Sequence, residues 1–99
     1  MPAYMILIRD EPVRDEAAMA EYQRLNRQGG ADEFRAKLTP LVVYGVAEAL
    51  EGPQPDGVLI LQFPTVEDAK AWYESPAYQA ALPYRKQAAD YRAILVQGL

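Results

Sequence analysis

Three short segments of this chain are apolar on both sides when read with the two-residue period of a β-strand: AYMILIR (Ala3–Arg9), VLILQF (Val58–Phe63) and YRAILVQ (Tyr91–Gln97). In the first, Tyr4, Ile6 and Ile8 oppose Met5 and Leu7. In the second, Val58, Ile60 and Gln62 oppose Leu59, Leu61 and Phe63, and in the third Ala93 and Leu95 oppose Ile94 and Val96. A sheet made of such strands must cover both faces. A chain of 99 residues makes one domain, and it has few helices with which to do so.

The segments between the strands set the order of elements. From Asp15, a residue suited to an N-cap, apolar side chains recur at Ala18, Tyr22 and Leu25, which predicts an amphipathic helix ended by Gly29-Gly30. A second short helical stretch is predicted from Asp32, with Ala31, Phe34 and Leu38 on one side. After Pro40, LVVYGVAEAL reads as a strand with Gly45 as a bulge or a close backbone approach, and GPQPDG (Gly52–Gly57) reads as a hairpin loop. Thr65 and Asp68 form an approximate capping box for a helix bearing Val66, Ala69 and Trp72 or Tyr73 on one face. Pro76 ends that helix by Glu74, Ser75 caps the next, and Pro83 is expected to break or kink it before YRKQAAD.

Strand, helix, strand, strand, helix, strand is the order of an α+β ferredoxin-like fold: a four-stranded antiparallel sheet with helices on one face. The other apolar face is then a patch of several hundred Å², by the usual size of partner surfaces. Packing two such faces together in a two-fold homodimer, a dimeric α/β barrel, would cover both.

Composition removes several function classes. The chain has no cysteine and no histidine, so thiol nucleophiles, disulfides and the usual haem and zinc ligands are absent, and no cofactor is expected. The net charge is −4 and the cations are scattered from Arg9 to Arg92, which does not suit nucleic acid. MPAYMILIRDEP has no basic leader and no segment has membrane-spanning length, so a cytoplasmic protein without membrane contact is expected. Gly29-Gly30 matches no nucleotide-binding fingerprint, and Ser75 has no histidine to activate it. Asp10-Glu11 and Asp15-Glu16 are accounted for by the dipole of the helix they precede.

Phe63-Pro64, AKAWY (Ala69–Tyr73), Ser75-Pro76, Tyr78-Gln79, Arg85, Ile94-Leu95-Val96 and Gly98 together resemble the domain-of-unknown-function family 1330. The resemblance is specific from about Val58 to Gly98, whereas Leu38-Thr39-Pro40 departs from a glycine-rich approach to the second strand. It implies a ferredoxin-like fold and a dimeric α/β barrel, and it supplies no reaction. The wider superfamily includes cofactor-free monooxygenases, isomerases and lactonases of small aromatic or polyketide compounds, and haem-binding enzymes, an analogy of fold alone.

The residues with chemistry to offer are few. Trp72 and Tyr22 read as core, being on apolar helix faces. Tyr73 and Tyr78 carry hydroxyls that need partners when buried and can point them into a pocket. Arg85 can anchor an anion through its planar fork, or pair structurally with Glu74 or Asp90. Glu48, placed on a strand face with Tyr44 and Val46, reads either as a solvated residue at a sheet edge or as a carboxylate among apolar neighbours and so a candidate base. The expectation is a pocket between sheet and helices, with Tyr73, Tyr78, Arg85, Tyr44 and Glu48 as candidate ligand-binding residues. It would take a small aromatic or carbonyl-bearing carboxylate, with cofactor-free proton transfer or oxygenation. The alternative is a noncatalytic dimeric binding module whose tyrosines only pack.

Overall fold

The computed structural model describes residues 1–28 and 37–99. Strands β1 (Ala3–Arg9), β2 (Thr39–Val43), β3 (Gly57–Phe63) and β4 (Tyr91–Gln97) make one antiparallel sheet in the order β2-β3-β1-β4. Helices α1 (Glu16–Gln28), α2 (Val66–Glu74) and α3 (Pro76–Ala88) complete the α+β ferredoxin-like fold. No helix among the described residues is long and apolar enough to cross a membrane. The expected helix from Asp32 lies outside the described residues.

Strand register fixes what each face carries. On the helix side, Ala3 lies between Phe63 and Gln97, Met5 between Leu61 and Leu95, Leu7 between Leu59 and Ala93, and Arg9 between Gly57 and Tyr91. Ala3, Met5, Leu7, Leu61 and Phe63 are buried there with Ala69 of α2. Each fully buried large side chain of this set, such as Leu7 or Phe63, contributes about 1.5–3 kcal/mol. On the other side, Val42, Ile60, Ile6 and Ile94 make a continuous aliphatic row, flanked by Tyr4 with Val96 and by Ile8 with Val58. Ile94 and Val96 remain 43% and 44% exposed.

Local hydrogen bonds set the helix starts where the sequence places them. Asp15 accepts from the Ala18 amide at 3.0 Å, and Thr65 Oγ1 accepts from the Asp68 amide at 3.1 Å while donating to the Asp68 carboxylate at 2.9 Å. Ser75 does two tasks, donating to the Trp72 carbonyl at 2.8 Å and accepting from the Tyr78 amide at 3.2 Å. The chain therefore closes α2 and opens α3 at one residue.

The structure corrects the sequence reading in two places. Pro83 does not end α3, which runs on to Ala88. The proline is exposed while Tyr78, Ala81, Leu82, Arg85 and Ala88 face inward, so packing holds the helix and water can satisfy the carbonyl that loses its donor. The second strand stops at Val43 instead of running to Leu50, and its irregularity lies between Pro40 and Val42, not at Gly45. Tyr44 adopts φ 55 and turns the chain out of the sheet. Glu48 therefore lies on no strand, and the connection to β3 spans residues 44–56.

Candidate functional site

The inward row of β1 reads Ala3, Met5, Leu7 and then Arg9, so a guanidinium takes the position where a fourth apolar side chain would continue the core. Its neighbours across the sheet are Gly57 and Tyr91. A Cβ at Gly57 would come within 2.7 Å of the Tyr44 ring, so the missing side chain leaves the room that ring occupies. The left-handed backbone of Tyr44, unfavourable for an aromatic residue, folds its ring back over the sheet. There the Arg9 guanidinium lies 4.7 Å from the ring centroid, and the Tyr44 hydroxyl is 2.9 Å from that of Tyr91. Arg9 is neutralised by Asp56, with Nε donating to Oδ2 at 2.7 Å, and its Nη1 donates to the Tyr91 hydroxyl at 3.3 Å.

Helix α3 approaches the same end from above. Tyr78 and Arg85 are seven residues apart, two turns along one face, and Arg85 Nη1 donates to the Tyr78 hydroxyl at 2.8 Å. That hydroxyl lies 3.0 Å from the hydroxyl of Tyr22 on α1. The Arg85 guanidinium also covers the Tyr91 ring at 5.1 Å, leaving Tyr91 between Arg85 and Arg9, the latter at 6.0 Å.

The two arginines differ in one decisive respect. Arg85 is only 4% exposed, and no carboxylate pairs with it among the described residues. Asp90, one of its expected partners, instead pairs with Arg14 at 2.9 Å. The Nε of Arg85 is buried with no hydrogen-bond partner among the described residues. Leaving a buried donor unmade costs about 1–3 kcal/mol, and more for a charged group. With Nη1 taken by Tyr78, the free edge is the one formed by Nε and Nη2, over which a planar carboxylate binds with two parallel hydrogen bonds.

Two of the surrounding hydroxyls, those of Tyr78 and Tyr44, hold their protons more tightly than a free tyrosine. Burial pushes the Tyr78 phenol well above the ordinary tyrosine range; nearby Tyr22 adds to this and Arg85 opposes it. Partial burial pushes Tyr44 up as well, aided by its hydrogen bond with Tyr91. Two cations and four hydroxyls thus converge on one end of the space between sheet and helices, with Asp56 already engaged by Arg9. Among the described residues no group of three or more His, Cys, Asp or Glu could hold a metal ion.

A cleft of about 230 Å³ lies beside this cluster, lined by Met5, Lys70, Tyr73, Glu74, Ala93 and Leu95. The inward row of β4 runs from the cleft, through Leu95 and Ala93, to Tyr91 beneath Arg85. Tyr73 stands between the two regions, its ring lining the cleft and lying 5.4 Å from that of Tyr78.

Of the five candidate residues, the structure brings Tyr78, Arg85 and Tyr44 into one cluster and sets Tyr73 at its border. Glu48 is exposed on the 44–56 connection and is not among them. Trp72 packs at 5.6 Å from Phe63 and 4.3 Å from Tyr78, joining the apolar core to the cluster. Tyr22 is core, as expected of its helix face, but its hydroxyl extends the Arg85–Tyr78 chain. Arg9 and Tyr91 are not among the candidate residues that the sequence suggests. The available signal for Arg9 was its parity with Met5 and Leu7, which points a cation inward.

No curated protein matches the chain at a significant level. Among solved structures, a protein of unknown function from Rhodopseudomonas palustris is similar at 22% identity and a TM-score of 0.66, over 99% of this chain and 82% of that one. A dimeric ferredoxin-like protein of unknown function from Jannaschia sp. CCS1 is similar at 12% identity and a TM-score of 0.65, over 99% of this chain and 100% of that one. SnoaB, a cofactor-independent oxygenase from Streptomyces nogalater, is similar at 11% identity and a TM-score of 0.53, over 99% of this chain and 92% of that one. At these identities the likeness speaks to fold alone. The family model for a domain of unknown function, DUF1330, matches residues 2–99, and the chain belongs to that family.

Proposed function

We propose that the protein is a homodimer that binds a small aromatic or carbonyl-bearing carboxylate between the sheet and helices of each copy, with Arg85 as the anchor. The observation that carries this reading is the buried Arg85 guanidinium, unpaired with any described carboxylate and with its Nε donor free. An anion supplied by a ligand would meet that donor and neutralise the charge. The rings of Tyr73 and Tyr91, with Leu95 and Met5 along the cleft, suit an apolar or aromatic body. The dimer is supported by the open aliphatic face of the sheet and by neighbours of the same fold that are described as dimeric.

Donors of this kind also suit a carbonyl whose oxygen gains negative charge as a neighbouring C–H loses its proton. Stabilising such an enolate is the chemistry open to Tyr78, Tyr22 and Arg85. If solvent takes that proton and the carbanion adds dioxygen, giving a hydroperoxide anion that regains a proton from solvent, the reaction is a cofactor-free oxygenation, a class represented in this fold by the structure described as a cofactor-independent oxygenase. Binding without turnover is the second reading, favoured by the engagement of Asp56 with Arg9, which leaves no free carboxylate among the described residues around Arg85, although Glu74 lines the cleft.

The test compares heat unfolding with benzoate, phenylacetate or pyruvate against benzamide at matched ionic strength. The carboxylates should raise the midpoint, since a ligand at a hundred times its Kd adds about 2.7 kcal/mol. Equal effects of benzoate and benzamide, or no effect of any acid, would refute the anchor. Light scattering should give twice the chain's 11.1 kDa. Consumption of a bound carbonyl acid would separate the enzyme from the binding module.

A further inference from the structure

The cleft beside the polar cluster carries three polar side chains that the fold does not use. Lys70, Tyr73 and Glu74 lie on α2 and line it. Elsewhere on the same helix, Asp68 is engaged by Lys37 at 3.1 Å and by Thr65 at 2.9 Å. By contrast, the Lys70 ammonium, the Glu74 carboxylate and the Tyr73 hydroxyl have no hydrogen-bond or ion-pair partner among the described residues. Lys70 and Glu74 are four residues apart on one helix face, a spacing that puts Cβ atoms about 5–6 Å from each other. A cation and an anion thus stand side by side, unpaired, against the apolar row of Met5, Ala93 and Leu95.

Removing a proton from the carbon beside a carbonyl takes a base for the proton and a donor for the oxygen that becomes negative. The cluster around Arg85 has donors, but its Asp56 is engaged by Arg9. The cleft has both, because Glu74 is a free carboxylate while Lys70 and the Tyr73 hydroxyl are free donors. Its place relative to Arg85 sets the length of the ligand. Inward side chains along a strand are about 7 Å apart. The cleft therefore begins, at Ala93, one such step from Tyr91, whose ring lies 5.1 Å from the Arg85 guanidinium. A molecule that meets Arg85 with its carboxylate and the cleft with its carbonyl needs a short carbon chain between the two. Pyruvate, in which they are joined directly, cannot reach both.

We infer that Glu74 is a catalytic base that takes a proton from the carbon next to a ketone held in the cleft, while Lys70 and Tyr73 donate to the ketone oxygen. The substrate class is a keto acid whose ketone and carboxylate are separated by a short carbon chain. The inference rests on the proposed anchoring of the carboxylate by Arg85 and adds to it the base and the reacting carbonyl. The C–H bond breaks, its electron pair forms the carbon–carbon double bond of the enolate, and the carbonyl pair moves to the oxygen. Glu74 holds the proton, and its return to carbon restores the ketone. Nothing is oxidised or reduced, so the step needs no co-reactant.

The experiment follows, by proton NMR in heavy water, the exchange of hydrogens beside the ketone of levulinate and of β-benzoylpropionate, with wild type, Glu74→Gln, Lys70→Met and Arg85→Met. Wild type should speed the exchange above the buffer rate. Glu74→Gln should lower the saturated rate at least about 100-fold, as expected when a general base is lost. Lys70→Met should lower the same rate, and Arg85→Met should instead raise the concentration that gives half of it. Lys70 and Glu74 are exposed, so their variants should unfold at the wild-type midpoint. Pyruvate should exchange no faster than in buffer, and equal acceleration of pyruvate and the longer acids would overturn the assigned length. Exchange catalysed equally by wild type and Glu74→Gln would overturn the base. No catalysed exchange, with benzoate still stabilising wild type, would overturn this inference and leave the Arg85 anchor standing. No exchange and no effect of benzoate would overturn both.

Discussion

The two ends of the layer between sheet and helices are built from opposite materials. At one end Ala3, Phe63, Ala69 and Trp72 close together, with Ala3, Phe63 and Ala69 at most 1% exposed and no buried donor left over. At the other, the row Gly57–Arg9–Tyr91 meets Tyr44, Tyr78, Tyr22 and Arg85. Trp72 and Tyr78, 4.3 Å apart, mark the change from one to the other. Hydrophobic burial accounts for the first end completely. It does not account for the second, where a buried cation costs stability that a row of leucines would not. That expense, confined to one end of one layer, is the ground on which a ligand is proposed there.

The largest test of that contrast removes the apolar end. Phe63→Ala should cost about 3–5 kcal/mol, read from urea unfolding, because a fully buried ring leaves a cavity that its neighbours fill only in part. A loss below about 1 kcal/mol would mean that this end is not the stability core.

At the polar end the effects are smaller and depend on pairing. Tyr78→Phe leaves Arg85 Nη1 without its acceptor and should cost about 2 kcal/mol in the same measurement. An unchanged midpoint would show that the Arg85–Tyr78 bond is not maintained in solution. Gly57→Ala forces the Tyr44 ring away and should cost about 1–2 kcal/mol, a typical overpacking penalty. Combined with Tyr44→Ala most of the penalty should vanish, since the closest approach is to that ring at 2.7 Å, whereas Arg9 Nη2 lies at 3.3 Å. An additive double variant would exclude it as the cause.

Much of the apolar end was legible in the sequence, because it rests on local rules. Alternation in AYMILIR and VLILQF sets the faces, and Ser75-Pro76 ends one helix and starts the next. The polar end was legible only in part. Tyr78 and Arg85 share a helix face, so their meeting follows from spacing. Arg9 and Tyr91, 82 residues apart, meet only through strand register, which no local pattern specifies. Tyr44 was misplaced on a continuing strand with Glu48, because its left-handed turn depends on the space above the distant Gly57. Pro83 misled for a related reason: tertiary packing of α3 outweighs the loss of one backbone bond.

The smallest effect is invisible at neutral pH. Tyr78 and Tyr44 hold their protons more tightly in the folded protein than in the unfolded chain. The stability they contribute is therefore complete below the unfolded tyrosine value of about 10 and is lost as pH rises above it. In an alkaline absorbance titration, two of the seven tyrosines should ionise only as the protein unfolds. Seven phenols titrating together near 10 would contradict the tighter proton binding at Tyr78 and Tyr44.

The central claim is that Arg85 is buried to meet a ligand's carboxylate. Its most direct measurement is the unfolding free energy of wild type and Arg85→Met, each with and without benzoate. Methionine fills a similar volume without a charge, so without ligand the variant should be as stable as wild type or more stable. Benzoate should stabilise wild type and leave the variant unchanged. A variant weakened by about 3–5 kcal/mol without ligand, the cost of breaking a buried pair, together with a wild type indifferent to benzoate, would make Arg85 a structural residue and contradict the account.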